Sequence, residues 1–402
     1  IPNVSYKCLP MPDIPPELKS NLFEFYLEIP RLSNPVLKQN LEEISERSKV
    51  NAIVIDVLCS AAFHVSADTG IPTYFCQTSG ASSLAVMLYW PEIHESYEED
   101  MADFNDFVII PGNSPLHSSD FADVMQRRCT KMYELLMEML RNVRKSEGIV
   151  VFSFDALEFR ALEAIRNGSC VPGHRSPPVY PIGPLIHSGG GERHECLRWL
   201  DLQPRKSVVF LCFGRRGVFS GKQLREMADG LDRSGHRFLW AIRNPPEIGS
   251  GAEQDPEIEI LLPEGFLERT KHRGFVVKSW APQTAVLAHE SVAGFVSHCG
   301  QGSILEAATF GVPIIGWPLY AEQRLNRKFL VEEARLSLPL EEDAAGFVTA
   351  TELEKRVREL FETENGRELR RRAEEMKSSA AAAMKSGGSS MVALEKFMAV
   401  VT

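Results

Sequence analysis

Apolar, β-prone runs recur along this chain, separated by helix-patterned stretches, and that alternation limits the folds open to it. NAIVIDVL (51–58), IPTYFCQ (71–77), GIVVFSF (148–154) and PVYPIG (178–183) read as buried strands of a first half. SVVFLCFG (207–214), HRFLWAIR (236–243), GFVVKSW (274–280), GFVSHCG (294–300) and VPIIGWP (312–318) read as strands of a second. Helical stretches such as SGKQLREMADGLDRSG (220–235) lie between them. A strand that is apolar throughout, rather than at alternate positions, has to be covered on both faces. That is the condition of a parallel sheet with helices on each side. Two such groups imply an α/β chain of two Rossmann-like domains, and 402 residues suit two domains better than one. The boundary falls in GPLIHSGGGERHE (183–195), whose glycine triplet and polar flanks suit an exposed linker.

Composition excludes several classes. A net charge of −10 argues against a general nucleic-acid binder. No apolar run reaches the roughly 18 residues that a membrane span needs. The opening IPNVSYKCLPMPDIPP has neither the basic region nor the apolar stretch of a signal peptide. The eight cysteines form no C-x-x-C pair, and several sit inside apolar runs, so they read as mostly free, buried thiols of a cytoplasmic protein. The RELRRR run near the C-terminus reads as a solvated helix face, and the chain ends in a helix after a GGSS break.

The chemistry concentrates in WAPQTAVLAHESVAGFVSHCGQGSILEAATFGVPIIGWPLYAEQ, the 44 residues from Trp280 to Gln323. A strand ending at SHCG runs into a helix that starts with small residues. A helix start offers unpaired N–H groups and a favourable dipole, which together make an anion site. Gly300 and Gly302 let a ligand approach the backbone, while Ser303 adds a hydroxyl and His298 a ring N–H, a set that suits a diphosphate. Glu306, one turn in, can accept from sugar hydroxyls. Trp280 and Gln283 follow another strand, in the crevice where open α/β sheets bind ligands, and an indole there can stack on a nucleobase. Glu322 and Gln323 can read a hexose through its hydroxyls. Taken singly, Trp280 reads better as a core anchor and His298 as a structural histidine; their joint order and spacing give the segment its weight. No G-x-G-x-x-G follows a first strand, which argues against a dinucleotide oxidoreductase.

The segment resembles the plant secondary-product glycosyltransferase box. The likeness extends over essentially the whole chain, through HECLRWLDLQP, SVVFLCFG, RFLWAIRNPP and GGSSMVALEKF, and is greatest to the flavonoid branch that includes anthocyanidin 5,3-O-glucosyltransferases. It implies a GT-B fold, with two Rossmann-like domains whose parallel sheets face each other across a cleft. Residues 1–185 would form the acceptor-binding domain, 186–206 a linker, 207–385 the UDP-sugar-binding domain, and 386–402 a helix packing back on the first domain. The implied reaction is inverting transfer of glucose from UDP-glucose to a hydroxyl of a phenolic acceptor such as a flavonoid or anthocyanidin, by a monomer without metal or further cofactor.

The same resemblance assigns roles. Trp280 stacks on uracil, Ala281 and Gln283 contact base and ribose, and Glu306 binds the ribose hydroxyls. His298 and Ser303 hold the diphosphate. Glu322 and Gln323 hold the sugar, with glutamine at the last position usually accompanying glucose. Tyr320 borders the acceptor pocket, and Thr78 touches the donor sugar. Asp56 matches the carboxylate that orients a general-base histidine.

Three departures from the family pattern stand out. Gln301 and Gly302 replace the usual Trp-Asn, removing an amide contact to phosphate. Arg215 and Arg216 follow Phe213-Gly214 where a serine is usual, and Arg215 is a candidate to supply charge to the diphosphate. The general-base histidine has no counterpart ahead of Asp56. His64 is the nearby substitute and reads better as a helix-face residue. VSYKCLP reads as the third strand of the family domain, which suggests an upstream stretch and two unpaired apolar strand edges without it. A carbon-glycosylating member of the family and a non-catalytic UDP-sugar-binding protein are the alternatives.

Overall fold

The structure is a computed structural model and describes residues 4–20, 22–186, 194–245 and 256–402. The chain divides into two compact units, Ile1–Gly183 with Ser386–Thr402, and Pro184–Lys385.

The first unit is built on a parallel sheet of β1 (Ile53–Asp56), β2 (Thr73–Gln77), β5 (Gly148–Val151) and β6 (Val179–Pro181), in the order β1-β2-β5-β6. A small antiparallel pair, β3 (Phe107–Val108) and β4 (Leu116–His117), stands apart. β2 and β5 are buried on both faces, so their sequences are apolar without alternation. One face, through Phe75, Ile149 and Val151, packs against Leu84, Leu88, Leu162 and Ile165 of the flanking helices. The other face presents Tyr74, Val150 and Tyr180 to Phe397 of the helix Ser389–Val401, with both tyrosine rings 5.4 Å from the Phe397 ring. Ser390 fastens the start of that helix by donating to the Gly183 carbonyl.

The N-terminal stretch departs from expectation. Residues 4–10 form no strand and lie exposed, because a segment with Pro10, Pro12 and Pro15 at its end lacks the donors and the φ range for a ladder. Among the described residues only one strand edge of this sheet is left open on that side. It belongs to β1, which pairs with β2 alone and has Val54 51% exposed.

The second unit holds six parallel strands: β7 (Val208–Cys212), β8 (Arg237–Ile242), β9 (Gly274–Lys278), β10 (Val292–Ser297), β11 (Ile314–Gly316) and β12 (Ser337–Pro339). Their order is β12-β11-β10-β7-β8-β9. The chain winds outward from β7 in one direction and from β10 in the other, so the crevice at the ends of these two neighbours is where a ligand sits in such a sheet. Val209, Leu211, Trp240, Val296 and Ile315 carry the core, packed on Leu224, Leu231, Leu353 and Val357. The helix Gly221–Ser234 is capped at its start by Ser220, which accepts from the Gln223 N–H, and stopped by Gly235 at φ 71°.

The expected linker 186–206 is described only in part. The glycine triplet lies outside the described residues, and 194–206 belong to the second unit. They form the helix Glu195–Asp201, whose Trp199 ring lies 5.7 Å from Phe275 of β9. The expectation for the thiols is corrected. All eight are free, but only Cys170, Cys196 and Cys299 are buried, while Cys8 and Cys129 are exposed. Arg367 and Arg371 of the RELRRR run pair with glutamates of their own helix. Among the described residues no helix is long and apolar enough to cross a membrane.

Candidate functional site

At the end of β10 the chain makes a tight turn, His298-Cys299-Gly300, before the helix Gln301–Phe310. Cys299 sits at φ 62°, a left-handed conformation that costs a non-glycine residue roughly 1 kcal/mol or more. Two buried contacts hold it there. The Cys299 carbonyl accepts from Asn326 Nδ2 at 2.9 Å, and its N–H donates to Ser297 Oγ at 3.3 Å.

This turn places His298 in a narrow slot. A Cβ added to Gly300 would lie 2.6 Å from His298 Nε2, and one added to Gly214, in the loop after β7, 2.8 Å. Only glycine fits on either side. His298 is 7% exposed and its Nδ1 has no partner. Burial alone pushes the imidazole down to about 4, so the ring is neutral at pH 7. A buried ring nitrogen without a partner is costly and calls for a ligand atom to meet it. The adjacent helix offers more of the same, since its N-cap Gly300 provides no side-chain cap.

Ser303 and Glu306 project from the next turns toward Gln283 and Thr284. Gln283 Nε2 donates to Ser303 Oγ at 3.0 Å and to Glu306 Oε2 at 2.7 Å, while Thr284 Oγ1 donates to Glu306 Oε1 at 2.9 Å. Trp280 lies next to this network. Ser279, at φ 60°, ends β9 and throws the indole outward, where it is 59% exposed, so it is not a core anchor. Among the described residues its one ring contact is the His194 imidazole, edge-on at 5.9 Å. Ala281 is buried beneath.

The two replaced positions behave differently. Gln301 is buried with its Nε2 unpartnered, whereas a Cβ on Gly302 would meet nothing within 4 Å. Arg215 and Arg216 are exposed in the loop after β7. Arg243 donates to the Arg215 carbonyl at 2.9 Å, and the Arg216 guanidinium lies 5.1 Å from the centre of the Tyr320 ring. Beyond β11, Ala321 at φ 55° turns the chain into the helix Gln323–Glu332. Gln323 is buried, and its Oε1 accepts from the N–H groups of Leu319 (2.8 Å) and Tyr320 (3.0 Å). The glutamine therefore presents its N–H pair, not its oxygen, to any ligand. Glu322 precedes it as the N-cap.

The first unit contributes its own candidates. Asp56 ends β1, opposite Cys76 of β2, and its Oδ1 accepts from the Leu58 N–H at 2.9 Å, capping the 3-10 turns Val57–Ala62. Burial raises the thiols of Cys59 and Cys76, and the Asp56 charge raises them further. His64 does not reach Asp56. It lies on the helix Phe63–Thr69, with Nε2 3.0 Å from Glu138 Oε1, and Glu138 is also bound by Arg31 at 2.6 Å. Thr78 is exposed just past β2. The helix that follows it is no anion site, because the Ala81 and Ser82 N–H groups already donate to the Glu158 carboxylate.

Thr284, Asn326, Arg243 and His194 escaped the sequence reading. Thr284 stands beside an assigned residue, but its contact lies 22 residues away, a separation with no periodic signal.

A family model for UDP-glucoronosyl and UDP-glucosyl transferase matches residues 174–368. The chain is 52% identical over 406 residues to a baicalein 7-O-glucuronosyltransferase of Scutellaria baicalensis, covering 99% of this chain and 91% of that one. It is 46% identical to an anthocyanidin 5,3-O-glucosyltransferase of a Rosa hybrid cultivar, covering 98% and 83%. Among solved structures, Phytolacca americana UGT2 complexed with UDP-2fluoro-glucose and pterostilbene superposes with a TM-score of 0.86 at 36% identity, covering 94% of this chain and 82% of that one. A Polygonum tinctorium UDP-glucosyltransferase capable of glucosylating indoxyl gives 0.89 at 35% identity, covering 97% and 85%.

Proposed function

The chain belongs to the plant family of UDP-glycosyltransferases and has the GT-B fold, and on that premise we propose that it transfers glucose from UDP-glucose to a hydroxyl of a small phenolic acceptor of flavonoid or anthocyanidin type. His298 carries this proposal. Its buried, unpartnered Nδ1 and the two glycines that crowd its ring form a slot beside an uncapped helix start, which suits a diphosphate. In this assignment Trp280 stacks on uracil, with Ala281 and Gln283 beside it, and Glu306 receives the ribose hydroxyls. Ser303, His298 and the backbone at Gly300 and Gly302 take the diphosphate, and Arg215 adds charge. Glu322 and Gln323 are assigned to the sugar and Tyr320 to the acceptor border, and Thr78 of the first unit is assigned to the sugar as well. We assign no metal or further cofactor, and a cytoplasmic monomer.

The reaction is a displacement. The acceptor oxygen attacks the anomeric carbon as the bond to the β-phosphate oxygen breaks, inverting α to β. The acceptor proton passes to a general base beside Asp56, the carboxylate assigned to orient it; the family's histidine at that place has no counterpart in these 402 residues. His64 is paired with Glu138 and not with Asp56, so it is not the base assigned here. Charge developing on UDP is met by the helix start, His298 and Ser303.

A second donor, UDP-glucuronic acid, is favoured by one observation. Gln323 offers only N–H groups, which serve a carboxylate as well as a hydroxyl, and Arg216 stands over the neighbouring Tyr320. Incubation with a flavonoid panel and either UDP-glucose or UDP-glucuronic acid, read by product mass, decides between the donors. Acid-resistant product would indicate a carbon linkage. UDP binding without any product would favour a non-catalytic binding protein and overturn the proposal.

A further inference from the structure

Both oxygens of the Glu306 carboxylate are engaged, each by a different residue of one short segment. Thr284 Oγ1 donates to Oε1 at 2.9 Å and Gln283 Nε2 to Oε2 at 2.7 Å. A carboxylate held at a single oxygen can still swing about its last torsion. Held at both, its plane is fixed. Each oxygen accepts at two sites, so one on each remains for a ligand. Two parallel acceptors of fixed spacing match a vicinal cis-diol, where each hydroxyl donates to one oxygen.

Gln283 cannot hold the plane alone. Its Nε2 is shared with Ser303 Oγ at 3.0 Å, on the side assigned to the diphosphate. One Nε2 hydrogen serves each acceptor, so a ligand that shifts the Gln283 amide shifts the Oε2 anchor with it, while the Oε1 anchor from Thr284 does not depend on that amide. Thr284 is half-buried on the helix Gln283–Leu287, and its hydroxyl is spent on this contact.

We infer that Thr284 is a positioning residue for the nucleotide: it fixes the Glu306 carboxylate so that it receives the 2′- and 3′-hydroxyls of the ribose together. This rests on the assignment of Glu306 to the ribose made above.

The test is calorimetric binding of UDP, 2′-deoxy-UDP and 3′-deoxy-UDP to the wild-type chain, Thr284→Val and Thr284→Ser. Thr284→Val removes the hydroxyl at nearly constant shape and should weaken UDP by about 5- to 20-fold, less than the roughly 12- to 160-fold of a direct hydrogen bond to a charged group, because Thr284 acts through Glu306. Thr284→Ser should restore most of the affinity. The deoxy nucleotides, already short of one partner, should lose clearly less in Thr284→Val than UDP does. With a saturating donor, kcat should stay within about twofold while KM for the donor rises, because a uniform binding contact has been removed. Equal UDP affinity in wild type and Thr284→Val overturns the inference. So does an equal loss for all three nucleotides, which would mark a general packing effect. Wild-type protein that binds no UDP sinks the donor-site assignment itself, and is told apart because it appears before any substitution is made.

Discussion

The His298 ring and Gly214 stand so close that a single methyl on the glycine would fall 2.8 Å from Nε2. Gly214 also lies at φ 72°, where a side chain is strained whatever the space around it. Gly214→Ala should therefore push the imidazole out of its slot while leaving the sheet intact. We expect UDP affinity to fall at least about tenfold, the scale of one charge-assisted hydrogen bond. Titration calorimetry checks this, and an unchanged Kd would mean that the ring does not face the nucleotide.

His298 also makes a prediction about pH. Its imidazole titrates near 6.5 when unfolded and near 4 in the folded protein. Between those values the unfolded chain binds a proton that the native state does not, so stability falls as pH drops through this window and is fully regained above it. The effect amounts to about 3 kcal/mol at most. Urea denaturation at pH 7 and pH 4.5 should show a smaller acid loss in His298→Gln than in wild type. Identical losses would mean that the imidazole is not shielded from solvent.

Arg215 and Gly302 bear on the diphosphate in opposite directions. Arg215→Ser should weaken UDP by about three- to tenfold at low salt, with the difference shrinking as ionic strength rises. Unchanged affinity at low salt would remove Arg215 from the site. Gly302→Asn puts an amide into space where a Cβ meets nothing within 4 Å. It should tighten UDP by about threefold, since an added hydrogen bond is partly offset by ordering the side chain.

Phe397 tests the C-terminal helix. The ring fills the face between Tyr74 and Tyr180, and Phe397→Ala leaves a cavity there. A loss of about 3 kcal/mol is expected for the first unit. Chemical denaturation followed by tyrosine fluorescence would register it, and a loss below about 1 kcal/mol would show the helix to be only loosely attached.

What could be read in advance follows the length and purity of the signal. β2, β5, β7, β8 and β10 are apolar on both faces, and a run of that kind has few alternatives. β12 was missed because it has three residues and ends in Pro339. The strand containing Trp280 was drawn too long because nothing local announces the positive φ of Ser279. The box from Trp280 to Gln323 exposed its members as a linear pattern. The Thr284–Glu306 contact, and the capture of Gln323 Oε1 by backbone N–H groups, depend on three-dimensional neighbours and left no trace in spacing. His64 shows the converse: proximity in sequence to Asp56 made it a candidate, and Glu138, 74 residues away, claims it.

The first unit is closed by a helix that lies beyond the whole of the second unit in the chain, since residues 184–385 intervene between Gly183 and Ser386. On the ribosome, Tyr74, Val150 and Tyr180 emerge long before Phe397 exists to cover them. At about 5–20 residues per second, that apolar face waits roughly 10–40 s. During that interval the nascent chain carries a sticky, half-finished layer, and the second unit can complete its own sheet first. The second unit can therefore be completed before the first, and slow translation or termination just past Lys385 would leave a folded second unit tethered to an aggregation-prone first one.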